Sequence, residues 1–244
     1  MVRLPLALLN SYHALMARKE FSPHNDLHPH WHREHQGEHR YPVAIVVFIV
    51  ILLQSILPDE LSISYQTAVS GLELLLLAVL LVVSPRRIHN HHLPQRVLSL
   101  GLTAVMTLSN TASAIKLINH LVSGSATDGN SLLLSGATIW LTNIVIFALW
   151  FWEFDRGGPG SRAQALVRYP DFLFPQMQDQ QMAQVHWHPN FFDYLYISFT
   201  NASAFSPTDV LPLTRWAKML MLFQSITSLL TVGLVVARAV NILQ

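Results

Sequence analysis

The chain has 244 residues, of which 51% are hydrophobic and only 12% are charged, with 15 Lys and Arg against 14 Asp and Glu. Soluble domains carry roughly 25% charged residues, so this composition excludes an ordinary soluble protein, and the long apolar runs predict an integral membrane protein. The absence of cysteine excludes disulfides, thiol catalysis and cysteine-bound metals. The sequence has no basic stripe with stacking aromatic residues, so we expect no nucleic-acid partner.

Residues 1–40 form a polar, histidine-rich segment. His28, His30 and His32 follow one another in His-x-His spacing, which can chelate zinc, nickel or copper. No helical His-x-x-x-His frame with a carboxylate accompanies them. The alternative is therefore a solvated extension whose histidines titrate near neutral pH.

Residues 41–123 are predicted to hold three transmembrane helices. Apolar runs cover 41–57, 61–83 and 97–122, and about twenty apolar residues are enough to span a bilayer. The third run contains several Ser, Thr and Asn residues. We therefore expect it to face protein rather than lipid, with its small side chains allowing close packing.

Two charged residues fall within these runs, Glu73 in the second and Lys116 in the third. A charge at membrane depth is costly, and it usually faces a partner or a water-filled cavity. A Glu73–Lys116 ion pair is the simplest hypothesis. A role for either residue in an ion path is the alternative.

Residues 130–244 contain the second half of the predicted bundle. A fourth span covers 131–152 and ends in Trp150-Phe151-Trp152, a pattern typical of an interfacial aromatic belt. Arg156-Gly157-Gly158-Pro159-Gly160 should break the helix. Residues 161–190 are amphipathic, and we expect Phe172-Leu173-Phe174-Pro175 to lie at the membrane surface.

The last fifty residues have the layout of a re-entrant pore loop. A short semi-polar helix at about 190–204 is followed by a tight polar turn and by a spanning helix at 218–243. From position 193 the sequence reads D-Y-L-Y-I-S-F-T-N-A-S-A-F-S-P-T-D-V-L-P-L-T. A buried helix of this kind would aim the negative end of its dipole at the membrane centre and favour a cation there.

This stretch resembles the pore module of the potassium-channel superfamily. In that family the pore helix runs roughly D-A-L-Y-F-S-x-x-T-x-T-T, the filter V-G-Y-G-D follows, and V-x-P-x-T leads into the inner helix. The resemblance implies a pore built from four copies of the chain that passes a cation, monovalent in this family. The positions that match without a gap are Asp193, Leu195, Tyr196, Ser198, Asp209, Pro212 and Thr214.

The segment that falls on the filter departs from the family pattern. Ser206 and Thr208 replace the two glycines, and a left-handed non-glycine residue costs about 1–2 kcal/mol, so the usual ring of backbone carbonyls is not expected. Hydroxyl groups and a carboxylate ring would line the path instead. The alternative is a plain turn and helix cap. The candidate path and filter residues are Ser203, Ala204, Phe205, Ser206, Pro207, Thr208 and Asp209.

The final helix carries two candidate hinge residues. Ser228 sits where the inner helix of the family often has a gating glycine, and Gly233 comes five residues later. Glycine lowers the cost of bending a helix. Close packing of two small residues against a neighbouring helix explains the same pattern.

The distribution of arginine predicts the orientation in the membrane. Five spans with the usual channel orientation would put most of the arginines outside, whereas the positive-inside rule favours a pore loop that enters from the cytoplasm. Ionotropic glutamate receptors resemble inverted potassium channels in this respect. The alternative is that 97–122 does not cross the membrane fully.

The sequence therefore predicts an all-α, polytopic transmembrane bundle of about five spans with one re-entrant pore helix, in a bacterial inner membrane. We expect a homotetrameric cation channel with an altered filter and no enzymatic activity, because no nucleophile or zinc-protease motif is present. A non-conducting scaffold or partner subunit with the same fold is one alternative. A transition-metal handling protein that uses the histidine segment is another.

Overall fold

Long apolar stretches of the chain form the helices, and Pro, Gly and polar residues separate them. The computed structural model describes residues 30–58, 60–62, 65–83, 87–88, 93–123, 129–179, 187–203 and 209–243. The α-helices are α1 (Arg40–Ser55), α2 (Gln66–Val83), α3 (Leu93–Ser123), α4 (Gly129–Phe154), α5 (Pro159–Ala163), α6 (Pro175–Gln178), α7 (Phe191–Ser203) and α8 (Arg215–Leu243). Short 3-10 turns cover His30–His32 and Asp155–Gly157.

Four helices are long and apolar enough to cross a membrane, by length and composition: α2, α3, α4 and α8. The prediction of a helical membrane protein is thereby confirmed in this coarse form. The expected fifth span, α1, has 16 residues, most of them apolar. At 1.5 Å per residue it is about 24 Å long, somewhat less than the roughly 30 Å hydrocarbon core.

Helix α4 is the centre of the bundle, in contact with α1, α3, α7 and α8. Its Ile146, Ala148 and Phe151 side chains are almost completely buried, so this helix presents apolar residues on most of its circumference. Helix α2 packs on the outside, between α1 and α3. Helix α3 turns polar residues such as Ser109, Asn110 and Ser113 inward, as its sequence predicted.

Two short antiparallel strand pairs lie at the same end of the bundle. The first joins β1 (Glu38–His39) to β2 (Arg87–Ile88), and the second joins β3 (Phe172–Leu173) to β4 (Leu211–Pro212). This end also holds the start of α3 and the end of α4. We call it the arginine-rich end, after Arg40, Arg96, Arg156 and Arg162.

The predicted helix break after α4 is confirmed. Arg156, Gly157 and Gly158 all have positive φ angles, of 50°, 79° and 96°, and a left-handed conformation ends a right-handed helix. Glycine adopts this conformation at little cost, whereas Arg156 is held in it by its contacts. The chain therefore turns sharply into α5 at the arginine-rich end.

Most of the aromatic side chains that the sequence assigned to the membrane interface are buried inside the protein. Phe151 and Trp152 are 0% and 2% exposed, and Phe172 and Phe174 are 0% and 3% exposed. These aromatic residues pack with one another inside the bundle end, for example Phe151 against Phe172 with ring centroids 5.1 Å apart. A row of aromatic residues at the end of an apolar run fits an interior cluster as well as a membrane interface.

Helices α4 and α8 approach closely at Gly136. A Cβ atom placed on this glycine would lie 2.7 Å and 2.9 Å from the two γ-methyl carbons of Val235. Distances below 3 Å between carbon atoms are strongly repulsive, and the branched valine side chain has few rotamers to escape into. Glycine is therefore required here by space rather than by backbone conformation.

We predict that Gly136→Ala destabilises the folded protein by about 1–3 kcal/mol, because the added methyl group overpacks the contact with Val235. The double variant Gly136→Ala with Val235→Ala should recover part of this loss. Gly101→Ala is the control, since nothing lies within 4 Å of the position of its Cβ. Thermal unfolding in detergent measures the effect, and equal melting temperatures for both single variants would contradict it.

Candidate functional site

A buried carboxylate, Glu38, connects four parts of the chain at the arginine-rich end. Its Oε1 accepts a hydrogen bond from Arg162 Nη2 at 3.1 Å, and its Oε2 accepts from Trp152 Nε1 at 2.9 Å and from the backbone N–H of Phe191 at 3.0 Å. The donors belong to α5, α4 and α7. Glu38 itself precedes α1, so the end of the histidine-rich segment 1–40 is packed into the protein.

Arg162 is the cation of this cluster and is 2% exposed. Its Nη1 donates to the carbonyl oxygens of Trp152 at 2.6 Å and of Asp155 at 3.0 Å, and its guanidinium lies 4.9 Å from the ring centre of Tyr194. Burial alone would lower the pKa of Arg162, but the carboxylates of Glu38 and Asp155 help to raise that pKa above its ordinary value. The guanidinium therefore stays charged.

A second layer of the cluster joins the start of α7 to the start of α8. Tyr194 donates its hydroxyl to Asp155, and burial raises the pKa of Tyr194 well above its ordinary value, so the phenol remains a donor. Asp171 accepts from the backbone N–H of Arg156 at 2.8 Å and from Trp216 Nε1 at 2.9 Å. Helices α7 and α8 thus begin at the same end of the bundle.

Deeper in the bundle, a strip of polar side chains joins α7 to α8. Gln224 Nε2 donates to the carbonyl oxygen and the hydroxyl of Ser198, at 2.8 Å and 2.6 Å. Asn201 Nδ2 donates to Gln224 Oε1 at 2.8 Å, and Ser225 donates to Asn201 Oδ1 at 3.1 Å. These bonds fix the depth of α7 against the second and third turns of α8.

The strip continues to the predicted hinge. Ser228 is 1% exposed, and its hydroxyl accepts a hydrogen bond from Asn143 Nδ2 of α4 at 3.0 Å. Gly233 is exposed, and nothing lies within 4 Å of the position of its Cβ. The two alternatives for these residues are a hinge and close packing. Ser228 is packed against α4, whereas no neighbour within this chain requires a small residue at Gly233.

Of the predicted path and filter residues, the structure describes Ser203 and Asp209. Ser203 ends α7 and donates its hydroxyl to the carbonyl oxygen of Phe199 at 2.7 Å, and Asp209 is exposed. A groove of about 410 Å³ lies beside Ser203, and its lining includes Gly136 and Gly233 together with larger apolar residues such as Trp140 and Leu229. The remaining filter candidates, Ala204, Phe205, Ser206, Pro207 and Thr208, lie outside the described residues.

The structure does not bring Glu73 and Lys116 together. Lys116 donates to the backbone carbonyl of Ser62, and the carboxylate of Glu73 faces the side-chain amide of Gln54. Within the described ranges, no ion pair joins Glu73 to any cation. Lys116 lies ten residues, about 15 Å, further along α3 than Met106, which is beside Gln54, so the two charges sit at different levels of the bundle.

The histidine candidates are only partly described. His28 lies outside the described residues, and His30 and His32 bound a short 3-10 turn, in which the His32 ring packs edge-on against Trp31. In the part of the chain that the structure covers, no group of three or more His, Asp or Glu side chains could hold a metal ion.

Sequence reasoning missed the charged cluster at the arginine-rich end. Glu38 and Arg162, for example, are 124 residues apart in the sequence, so no local spacing links them. The feature of the sequence that could have indicated this cluster is the group of charged residues directly after an apolar span, Glu153, Asp155 and Arg156. Because Glu38 is paired with Arg162 and also accepts from the first N–H of α7, the cluster is suited to positioning α7.

No known protein family, curated protein or solved structure matches this chain. The interpretation of the site therefore rests on its own geometry.

We predict that Glu38→Ala destabilises the protein by about 3–5 kcal/mol, because it leaves the buried Arg162 cation without its carboxylate. Glu34→Ala removes an exposed carboxylate nearby and should change stability by no more than about 0.5 kcal/mol. Unfolding in detergent, followed by circular dichroism, measures both. Equal stability of the two variants would show that Glu38 does not hold the cluster together.

Proposed function

We propose that residues 130–244 form a potassium-channel-like pore module and that the protein is a homotetrameric cation channel in a bilayer. The observation that carries the proposal is the path of the chain around α7. Helix α7 starts at the arginine-rich end beside Glu38 and Asp155, and its C-terminal turn reaches the level of Gln224 and Ser225 in α8.

The chain then returns to the end from which it started. Strand β4 pairs with β3, the backbone N–H of Leu213 donates to Asp171 O at 2.8 Å, and Trp216 donates to the Asp171 carboxylate. A helix of 13 residues, about 20 Å long, enters only part of a bilayer. A partial helix followed by a return to the same side is the arrangement expected of a re-entrant loop.

The polar groups near the proposed turn favour a cation as the permeant species. The C-terminal end of α7 carries the negative end of the helix dipole, and Ser203 lies in that last turn. Asp209 is exposed on the return path, where four copies would form a ring of carboxylates that attracts cations.

One observation favours the alternative of a non-conducting scaffold or partner subunit. Gln224, Ser228 and Thr231 are 0–2% exposed and face the interior of a single chain. The free face of α8 is apolar, with Phe223 and Leu229 at 57% and 69% exposure. An apolar free face suits contact with lipid or with another protein as well as it suits a gate.

Ion flux in proteoliposomes separates the two functions. We predict potassium or sodium flux through the full-length protein, with a several-fold decrease in Asp209→Asn because the variant removes the proposed carboxylate ring. Glu34→Gln, which changes an exposed acid outside the module, should leave flux unchanged. No flux under any ion or voltage, or a monomeric molecular mass in detergent, would favour the scaffold.

We further propose that the arginine-rich end faces the cytoplasm, in accordance with the positive-inside rule. Tyr169 is exposed at this end and Glu60 at the other, and the natural chain has no cysteine. A membrane-impermeant maleimide should label Glu60→Cys on intact cells and label Tyr169→Cys only after permeabilisation. The reverse pattern would overturn this orientation.

A further inference from the structure

Glu73 differs from the other deeply buried acids that the structure describes. Glu38 is paired with Arg162, Asp155 lies beside Arg156, and Glu153 accepts from Ser99 and has the charges of three arginines close by. These arginines are Arg162, Arg96 and Arg40. Glu73 is 0% exposed and lies in the middle of α2. Its closest polar neighbour is the neutral amide of Gln54 on α1.

The hydrogen-bond partners at the two ends of the Gln54 amide indicate whether Glu73 carries a proton. One end lies 3.2 Å and 3.3 Å from the two oxygens of Glu73, and the other end lies 3.5 Å from the carbonyl oxygen of Met106 on α3. Because the oxygen and nitrogen of an amide have nearly the same shape, the hydrogen-bond partners must decide which end is which.

An ionised Glu73 only accepts hydrogen bonds, so it would require the amide nitrogen and turn the amide oxygen towards Met106 O, acceptor against acceptor. A protonated Glu73 donates its O–H to Gln54 Oε1, and Gln54 Nε2 then donates to Met106 O. With the amide in this orientation, only the protonated form gives Glu73 a hydrogen bond to Gln54 and keeps a donor facing Met106 O. It also avoids an unpaired charge at membrane depth.

The charged groups of the helices packed against α2 are bound elsewhere. Lys116 donates to Ser62 O, and its position in α3 is ten residues, about 15 Å, beyond Met106. Arg40 donates to Leu80 O, seven residues, about 10 Å, beyond Glu73. The other titratable groups of α1, α3 and the described part of the 56–65 connection are Tyr41, Arg96, His120, Glu60 and Tyr65.

We propose that Glu73 is a proton-binding site within the membrane, held neutral by Gln54 and reached from the end of the bundle that carries residues 56–65. On that side Ser70 lies one turn away, Gln66 Nε2 donates to Ser70 Oγ at 3.5 Å, and Ser55 Oγ lies 3.3 Å from Ser70 Oγ. On the other side Leu77 and Leu80 close the path with buried apolar side chains. The site is separate from α7 and α8 and does not depend on the pore proposal.

Infrared spectroscopy of the full-length protein in proteoliposomes tests this directly. At neutral pH we expect a carboxylic-acid C=O band that shifts in D₂O, persists in the exposed-loop control Glu60→Gln and is lost in Glu73→Gln. A wild-type spectrum without that component, or an unchanged band in Glu73→Gln, would overturn the proposal.

Two further measurements keep the outcome decisive. If Glu73→Gln fails to fold, Glu73→Asp retains an acid with a shorter side chain, and its band should change position; an unchanged band would assign the signal to another residue. Adding sodium or potassium at fixed pH should leave the wild-type band in place. Loss of the band on adding a cation would identify a metal-cation site instead of a proton site.

Discussion

The arrangement of the whole molecule depends on the carboxylate of Glu38. It is buried, and its hydrogen-bond partners come from the end of α4, from α5 and from the first residue of α7. A buried carboxylate is tolerated only when its charge and its lone pairs are satisfied, so these three elements must meet at one point. The position of α7 relative to the central helix is a consequence of that requirement.

The same helix is held a second time, at its other end, by neutral groups. Ser198 and Asn201 exchange hydrogen bonds with Gln224 and Ser225 of α8, and away from water such bonds are expensive to leave unmade. Charge pairing therefore fixes where α7 begins, and amide and hydroxyl bonds fix how far it extends along α8. The charge pairing and the neutral hydrogen bonds together determine the register between α7 and α8.

Local patterns in the sequence were sufficient for the helices and for the break between them. The short helix predicted at 190–204 is Phe191–Ser203 in the structure, because its polar flanks and Pro189 mark its limits. The partners of Lys116 and Glu73 were not predictable in this way. Both sit in apolar runs, but hydropathy does not record how far each helix is shifted along its neighbour, and that shift places Lys116 beside Ser62 and Glu73 beside Gln54. The Glu38–Arg162 contact spans 124 residues and leaves no local pattern to find.

The β3–β4 pair has a consequence for how the chain is assembled during synthesis. Asp171 accepts hydrogen bonds from Arg156, which is synthesised before it, and from Trp216, which is synthesised after it. Strand β3 pairs with β4, which lies some forty residues later in the chain. The contacts of Asp171 and of β3 are therefore complete only after residues 211–216 have been synthesised. Helix α7 can meet Glu38 and Asp155, which precede it in the chain, before α8 has been made, whereas its bonds to Gln224 and Ser225 form only after α8 has been made.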